Sequence, residues 1–329
     1  MPELRKDPLL GRWVIIGTER VRRPADFRVP RPPRRGGPCA LCAGHERETP
    51  PEVLVYRDKP TDDAWRVRVV PSKFPALRVE GDLERRGHGL YDLMNGIGAH
   101  EVVIESPRHD DALARLPVAA VEDVVRAWRD RIVDLKRDQR FRAIMVFKGH
   151  GAGDGATREH SHSQVLATPI PPQELNDELH HARAYHDYRE RCLFCDIVHQ
   201  EAEERTRVVE ETEHVLAFAP FAARFPFETW ILPRRHAPAF EHGSAAELRD
   251  LARALRGVLR KLERALGDPP FEFLLHSAPF AEGDSPYYHW HLEVTPRLPV
   301  MADSDRSSGF HVNPMPPEDA ARFLRDTGD

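Results

Sequence analysis

The four cysteines of the chain stand as two C-x-x-C pairs, Cys39/Cys42 and Cys192/Cys195, and each pair opens the same run of features. After Cys42 come strand-like runs at 65–70 and 100–105, the second ending at Pro107-Arg-His109. A helix follows, with Val121, Val124, Val125, Trp128, Ile132 and Leu135 at helical spacing and Pro117 near its start. Then come an apolar strand at 143–147, a glycine-rich loop and His160-Ser-His162. After Cys195 the order returns: strands at 215–219 and 228–232, Pro233-Arg-Arg-His236, and a helix on Leu248, Leu251, Leu255, Val258, Leu259 and Leu262. Ser244 and Glu247 form its capping-box signature. A strand at 271–275 and His289-Trp-His291 close the run. Five features repeated in order indicate an internal duplication joined within 171–191, with halves at 1–180 and 181–329.

The 329 residues are enough for two domains or one large duplicated one, with a core that needs no staples. Hydrophobic residues at 40% and charged residues at 31% describe a soluble globular protein. With 48 basic and 53 acidic side chains the net charge is −5, which argues against nucleic acid or an anionic membrane as the partner. No apolar run approaches the ~20 residues of a membrane span, and the opening residues lack a signal-peptide core. A cytoplasmic location is expected. There a C-x-x-C pair is metal-binding or redox-active before it is a disulfide, and a metal still needs two further ligands from among 18 histidines.

His160, His162 and Gln164 repeat at the strand period, which places two imidazoles and an amide on one face. Upstream, the glycines between 149 and 155 offer backbone N–H groups without side-chain obstruction, the raw material of a phosphate nest. Together they point to phosphate chemistry with a histidine nucleophile or acid–base.

These residues resemble the H-x-H-x-Q signature of the transferase branch of the histidine-triad superfamily. Asp7-Pro-Leu-Leu-Gly-Arg-Trp, Arg20-Val-Arg-Arg-Pro24, Cys39-x-x-Cys42, Val69-Val-Pro-Ser-Lys-Phe-Pro-Ala-Leu77 and Gly98-Ala-His-Glu are similar to segments of the galactose-1-phosphate uridylyltransferase family. The resemblance covers most of the chain. It implies an α+β fold: two histidine-triad-like halves, each an antiparallel-rich sheet with helices. It also implies ping-pong nucleotidyl transfer in a homodimer. His162 takes the nucleotidyl group from a nucleoside diphosphate sugar, a sugar 1-phosphate leaves, and a phosphate-bearing acceptor takes the nucleotide. Gln164 and Thr157 match the family's phosphate donors. Arg20 and Arg23 match arginines that reach a phosphate across a dimer interface. Ser72, Phe74 and Gly149 match substrate-binding positions.

By the same carry-over, Cys39, Cys42, His109 and His160 hold a structural zinc, and Cys192, Cys195, His236 and His289 hold a second. His291 is left as a core or supporting histidine. The chain departs from the family pattern at Ser161, Gly149 and Ser72, where proline and two asparagines are usual. It also has Ser307-Ser-Gly-Phe-His-Val-Asn313 in place of a Gly-Thr-Gly stretch. The expected activity is UDP-glucose:galactose-1-phosphate uridylyl transfer. The rival is an AMP-transferring phosphorylase acting on ADP-glucose or a dinucleoside polyphosphate.

Overall fold

The computed structural model describes residues 1–17, 24–29, 38–151, 159–298 and 309–328. Two short strands, β1 (Glu3–Lys6) and β2 (Trp13–Ile16), pair antiparallel at the start of the chain. The first half then supplies β3 (Leu54–Tyr56), β4 (Val67–Pro71), a small hairpin of β5 (Arg86–His88) and β6 (Tyr91–Leu93), and β7 (Ala99–Ile104). Helix α1 (Val118–Leu135), β8 (Ala143–His150) and β9 (His162–Thr168) complete it. Helices α2 (Gln173–Arg189) and α3 (Leu193–Glu204) lead to β10 (Val208–Glu211), β11 (Val215–Phe218) and β12 (Thr229–Pro233). There follow α4 (Ala245–Leu266), β13 (Phe271–His276), β14 (His291–Pro296), β15 (His311–Asn313) and α5 (Pro317–Asp326).

The expected duplication is visible in the sheet. Ten strands run in the order β10-β11-β12-β14-β13-β8-β9-β7-β4-β3, which reads the same from either end when β8 is matched to β13 and β9 to β14. The halves are therefore joined edge to edge, β8 antiparallel to β13 from Val146↔Leu275 to His150↔Phe271. Pairing consumes the two edges that separate half-sheets would expose. The connection within 171–191 is not a loose linker but α2, packed over the second half.

One face of the sheet carries α1 and α4. Helix α1 begins after Pro117, whose ring forbids no helical bond at that position, and it buries Val121, Val124, Val125, Trp128 and Ile132. Burial of such side chains contributes roughly 1.5–3 kcal/mol each. Helix α4 starts with the expected capping box: Ser244 Oγ accepts from Glu247 N–H, and the Glu247 carboxylate accepts from Ser244 N–H at 2.8 Å. It ends at Gly267, whose φ of 82° suits glycine. Arg131 on α1 donates to both oxygens of Glu101 on β7, each at 2.7 Å, pinning the helix to the strand that flanks β9.

Two expectations shift at strand ends. The loop expected from Gly149 starts later, because β8 continues through Gly149 and His150 along β13. The strand expected from His160 begins at His162. His160 is drawn out of the ladder toward the first cysteine pair.

Candidate active site and metal centres

Strand β9 alternates cleanly. Ser163, Val165 and Ala167 are buried, and Ser163 Oγ accepts from Trp128 Nε1 at 2.8 Å, so this face belongs to the core under α1. His162, Gln164 and Leu166 are half-buried on the other face. His162 Nδ1 lies 2.8 Å from the carbonyl oxygen of His160. A carbonyl only accepts, so Nδ1 carries the proton and Nε2 carries the lone pair. A neutral imidazole fixed in that tautomer is a nitrogen nucleophile at neutral pH.

Behind it lies a buried polar set that sequence reading missed. Lys148 Nζ donates to the His162 carbonyl at 2.8 Å, to Glu105 Oε2 at 2.6 Å and to Ser161 Oγ at 3.2 Å; Ser161 Oγ donates to Glu105 Oε2 at 2.6 Å. Burial pushes Lys148 below the usual lysine range, with Glu105 opposing. Ser161 thus faces away from the open side of β9, and proline at that position could not make these bonds.

On the open side, Gln164 pairs in register with Val102 of β7 and Phe147 of β8. Gly149 lies two residues beyond Phe147 on the same strand, one pleat period along. Ser72 follows β4 and donates its N–H to the His100 carbonyl at 2.8 Å. Phe74 is 78% exposed. Arg20, Arg23 and Thr157 lie outside the described residues.

The structure brings the expected ligands together in two groups of four, with ligand atoms within 4.8 Å of one another. In the first, Cys42 Sγ lies 3.7 Å from His109 Nδ1 and 3.5 Å from His160 Nδ1, and Cys39 Sγ lies 3.7 Å from His160 Nδ1. In the second, Cys195 Sγ lies 3.5 Å from His236 Nδ1 and 3.4 Å from His289 Nε2, with Cys192 completing the set. Tetrahedral coordination at the usual Zn–S and Zn–N lengths calls for about 3.6 Å between S and N, so both sets fit. The outer nitrogens are already assigned: His160 Nε2–H donates to the Ser106 carbonyl at 2.7 Å and His236 Nε2–H to the Ser285 carbonyl at 2.9 Å. That leaves the inward nitrogens as ligands. Burial pushes the Cys42 thiol up to about 11, whereas the hydrogen bond from Cys192, helped by His236 and His289, holds Cys195 down at about 3.

His291 is fully buried, as expected of a core histidine, in a third cluster with Glu178, His276 and Glu293. His291 stacks on His276 at 4.5 Å between ring centroids. Glu178 of α2 lies 3.1 Å from His276 Nδ1 and accepts from Tyr288 OH at 2.7 Å. Although burial disfavours its charge, Glu178 raises His276 to about 9. The donors suit a metal by type, and they also satisfy one another by charge. The signal for Glu178 was local: it shares the helical face of Leu175, Leu179 and Ala182.

The chain and its fold have known counterparts. Family models for the N-terminal and C-terminal domains of galactose-1-phosphate uridyl transferase match residues 1–172 and 178–298. The chain belongs to that family and is a nucleotidyltransferase. An ADP-glucose phosphorylase of Arabidopsis thaliana is 35% identical over 99% of this chain and 93% of that protein. A galactose-1-phosphate uridylyltransferase of Thermotoga maritima is 30% identical over 99% of each. Among solved structures, the Arabidopsis ADP-glucose phosphorylase with bound ADP-glucose superposes with a TM-score of 0.85 at 34% identity, covering all of both chains. A uridylyltransferase does so at 0.78 and 26%, covering 99% of this chain and 98% of that one.

Proposed function

We propose that the chain transfers a nucleoside monophosphate from a nucleoside diphosphate hexose to a phosphate-bearing acceptor through His162. The carrying observation is the Nδ1–H bond to the His160 carbonyl, which aims the Nε2 lone pair at the open face beside Gln164. Nε2 forms a bond to the α-phosphorus and the bond to the bridging oxygen breaks, so the hexose 1-phosphate leaves with that oxygen. Charge on the α-phosphoryl oxygens is met by the Gln164 amide and by Thr157 and backbone N–H groups of the glycine-rich loop. In the second half-reaction an acceptor phosphate oxygen attacks phosphorus and the N–P bond breaks, returning neutral His162.

ADP-glucose is the favoured donor and inorganic phosphate the acceptor. The greater identity to the ADP-glucose phosphorylase supports this, as do Ser72, Gly149 and Ser307-Ser-Gly309, which depart from the uridylyltransferase pattern. Uridylyl transfer to galactose 1-phosphate is the second reading, supported by the relative 30% identical along its whole length. Intact mass after incubation with ADP-glucose or UDP-glucose separates them: an AMP adduct is expected, and a UMP adduct alone would reverse the preference.

Zinc in both Cys2His2 clusters would be structural, since each set supplies four protein ligands and leaves no open position. At the first site it would hold His160, and through the His160 carbonyl the tautomer of His162. Ser72, Phe74 and Gly149 would line the nucleotide pocket. Arg20 and Arg23 would reach the substrate phosphate from the partner of a cytoplasmic homodimer.

A further inference from the structure

His100 is the second residue of β7 and belongs to neither of the expected ligand sets. Its Nδ1 accepts the backbone N–H of Ala76 at 3.1 Å, and its Nε2 lies 2.7 Å from Gln164 Oε1. A backbone N–H can only donate, so Nδ1 is unprotonated and neutral His100 carries its hydrogen on Nε2. An N–H at that place needs an acceptor, so it takes the amide oxygen of Gln164 and not the nitrogen. The order of donors along Ala76, His100 and Gln164 is thus set from the backbone outward. Both N–H bonds of the Gln164 amide remain for another partner.

The approach that allows this depends on Gly98. A Cβ there would lie 2.5 Å from both the Ala167 carbonyl oxygen and Leu77 Cδ1, so only glycine lets the segment holding Ala76 settle over the end of β7. The second half shows the alternative. Trp230 pairs with Glu293 as Val102 pairs with Gln164, which makes Glu228 the counterpart of His100 and Glu293 that of Gln164. There Arg224 joins the two, donating to Glu228 at 3.1 Å and Glu293 at 2.5 Å, so the counterpart of Gln164 is spent on an internal ion pair.

We propose that His100 is a positioning residue for nucleotidyl transfer: as the Nε2–H tautomer it holds the Gln164 carbonyl oxygen and turns the Gln164 amide N–H groups toward the α-phosphoryl oxygens. The inference rests on the reading of His162 and Gln164 given under the proposed function. Its test is a cycle of His100→Ala, Gln164→Ala and the double variant, with single-turnover nucleotidylation of the protein by ADP-glucose and UDP-glucose as the readout. Loss of an aligned donor to a transition-state oxyanion costs roughly 10²- to 10³-fold, and misalignment a part of that. His100→Ala is expected to slow nucleotidylation roughly 10- to 100-fold at little change in KM. It is expected to have no further effect once Gln164 is alanine. His100→Gln, which can place an amide N–H near the Nε2 site, is expected to recover most of the rate. A wild-type rate in His100→Ala, the same slowing with and without Gln164, or no recovery in His100→Gln would overturn the proposal. Long-range proton–nitrogen NMR of the free protein reads the His100 tautomer without turnover, and a proton on Nδ1 would overturn it as well. Absence of any adduct on wild-type protein, with the Nε2–H tautomer present, would instead count against the proposed function.

Discussion

At the scale of single residues, two side chains control what the open face of β9 can do. His162 is the proposed nucleophile, and on that reading His162→Ala should abolish the nucleotidyl adduct and lower turnover by several orders of magnitude, with unchanged unfolding. Exchange of labelled hexose 1-phosphate into the sugar nucleotide at a wild-type rate in that variant would refute the assignment. Lys148 acts from behind. It is buried with Glu105, and removing one partner of such a pair leaves an uncompensated charge that costs about 3–5 kcal/mol. Lys148→Met should therefore lower the free energy of unfolding in urea by that order, and Lys148→Met/Glu105→Leu should recover much of it. A loss under about 1 kcal/mol in the single variant would show that Glu105 relaxes to water or takes up a proton at little cost.

At the scale of elements, the segment around Cys39 and Cys42 and the turn after β7 that carries His109 contain little regular structure. They meet through their ligands: Ala43 N–H donates to the Pro107 carbonyl at 3.0 Å, and the two sulfurs face His109 and His160. A metal there would tie the β7 end to the β9 start, the two strands that flank and carry the proposed nucleophile. Purified protein should hold about two zinc per chain, and Cys39→Ser/Cys42→Ser about one. Hydrogen exchange should quicken around His109 and His160 in that variant while α4 stays protected. Full zinc content in the variant would assign the ion elsewhere, and Cys192→Ser/Cys195→Ser makes the matching test of the second cluster.

At the scale of the whole molecule, one sheet serves two halves of different use. In the first half β9 has a core face and a half-open face. In the second half every residue of β14 is buried, because α4 covers one side and α2 with α3 covers the other. Phe194 of α3 and Glu178 of α2 sit against His291, the counterpart of His162. The second H-x-H is thereby a structural element. Shared pairing of β8 with β13 and a shared core under α1 and α4 make the halves interdependent. Unfolding should be a single transition, with fluorescence and far-ultraviolet circular dichroism changing together. Two separated transitions would mean that the halves fold independently.

The duplication and the strand and helix order were legible in the sequence, because each depends on local periodicity or on motifs repeated in order, and the grouping of the cysteines with four histidines followed from the family resemblance. The tautomer of His162, the link from Ala76 through His100 to Gln164, and the set of Lys148, Glu105 and Ser161 were not. The last two depend on which residues face one another across strands far apart in the chain, and the first on how the His162 ring turns back to the carbonyl two residues before it. The resemblance already favoured the first H-x-H motif over the second, and the physical reason for the difference in their surroundings lies one level higher. Sequence places a strand carrying two histidines in each half, but only the packing of α2 and α3 closes one of them, and an imidazole fully buried beneath Phe194 and Glu178 has no path to a phosphate.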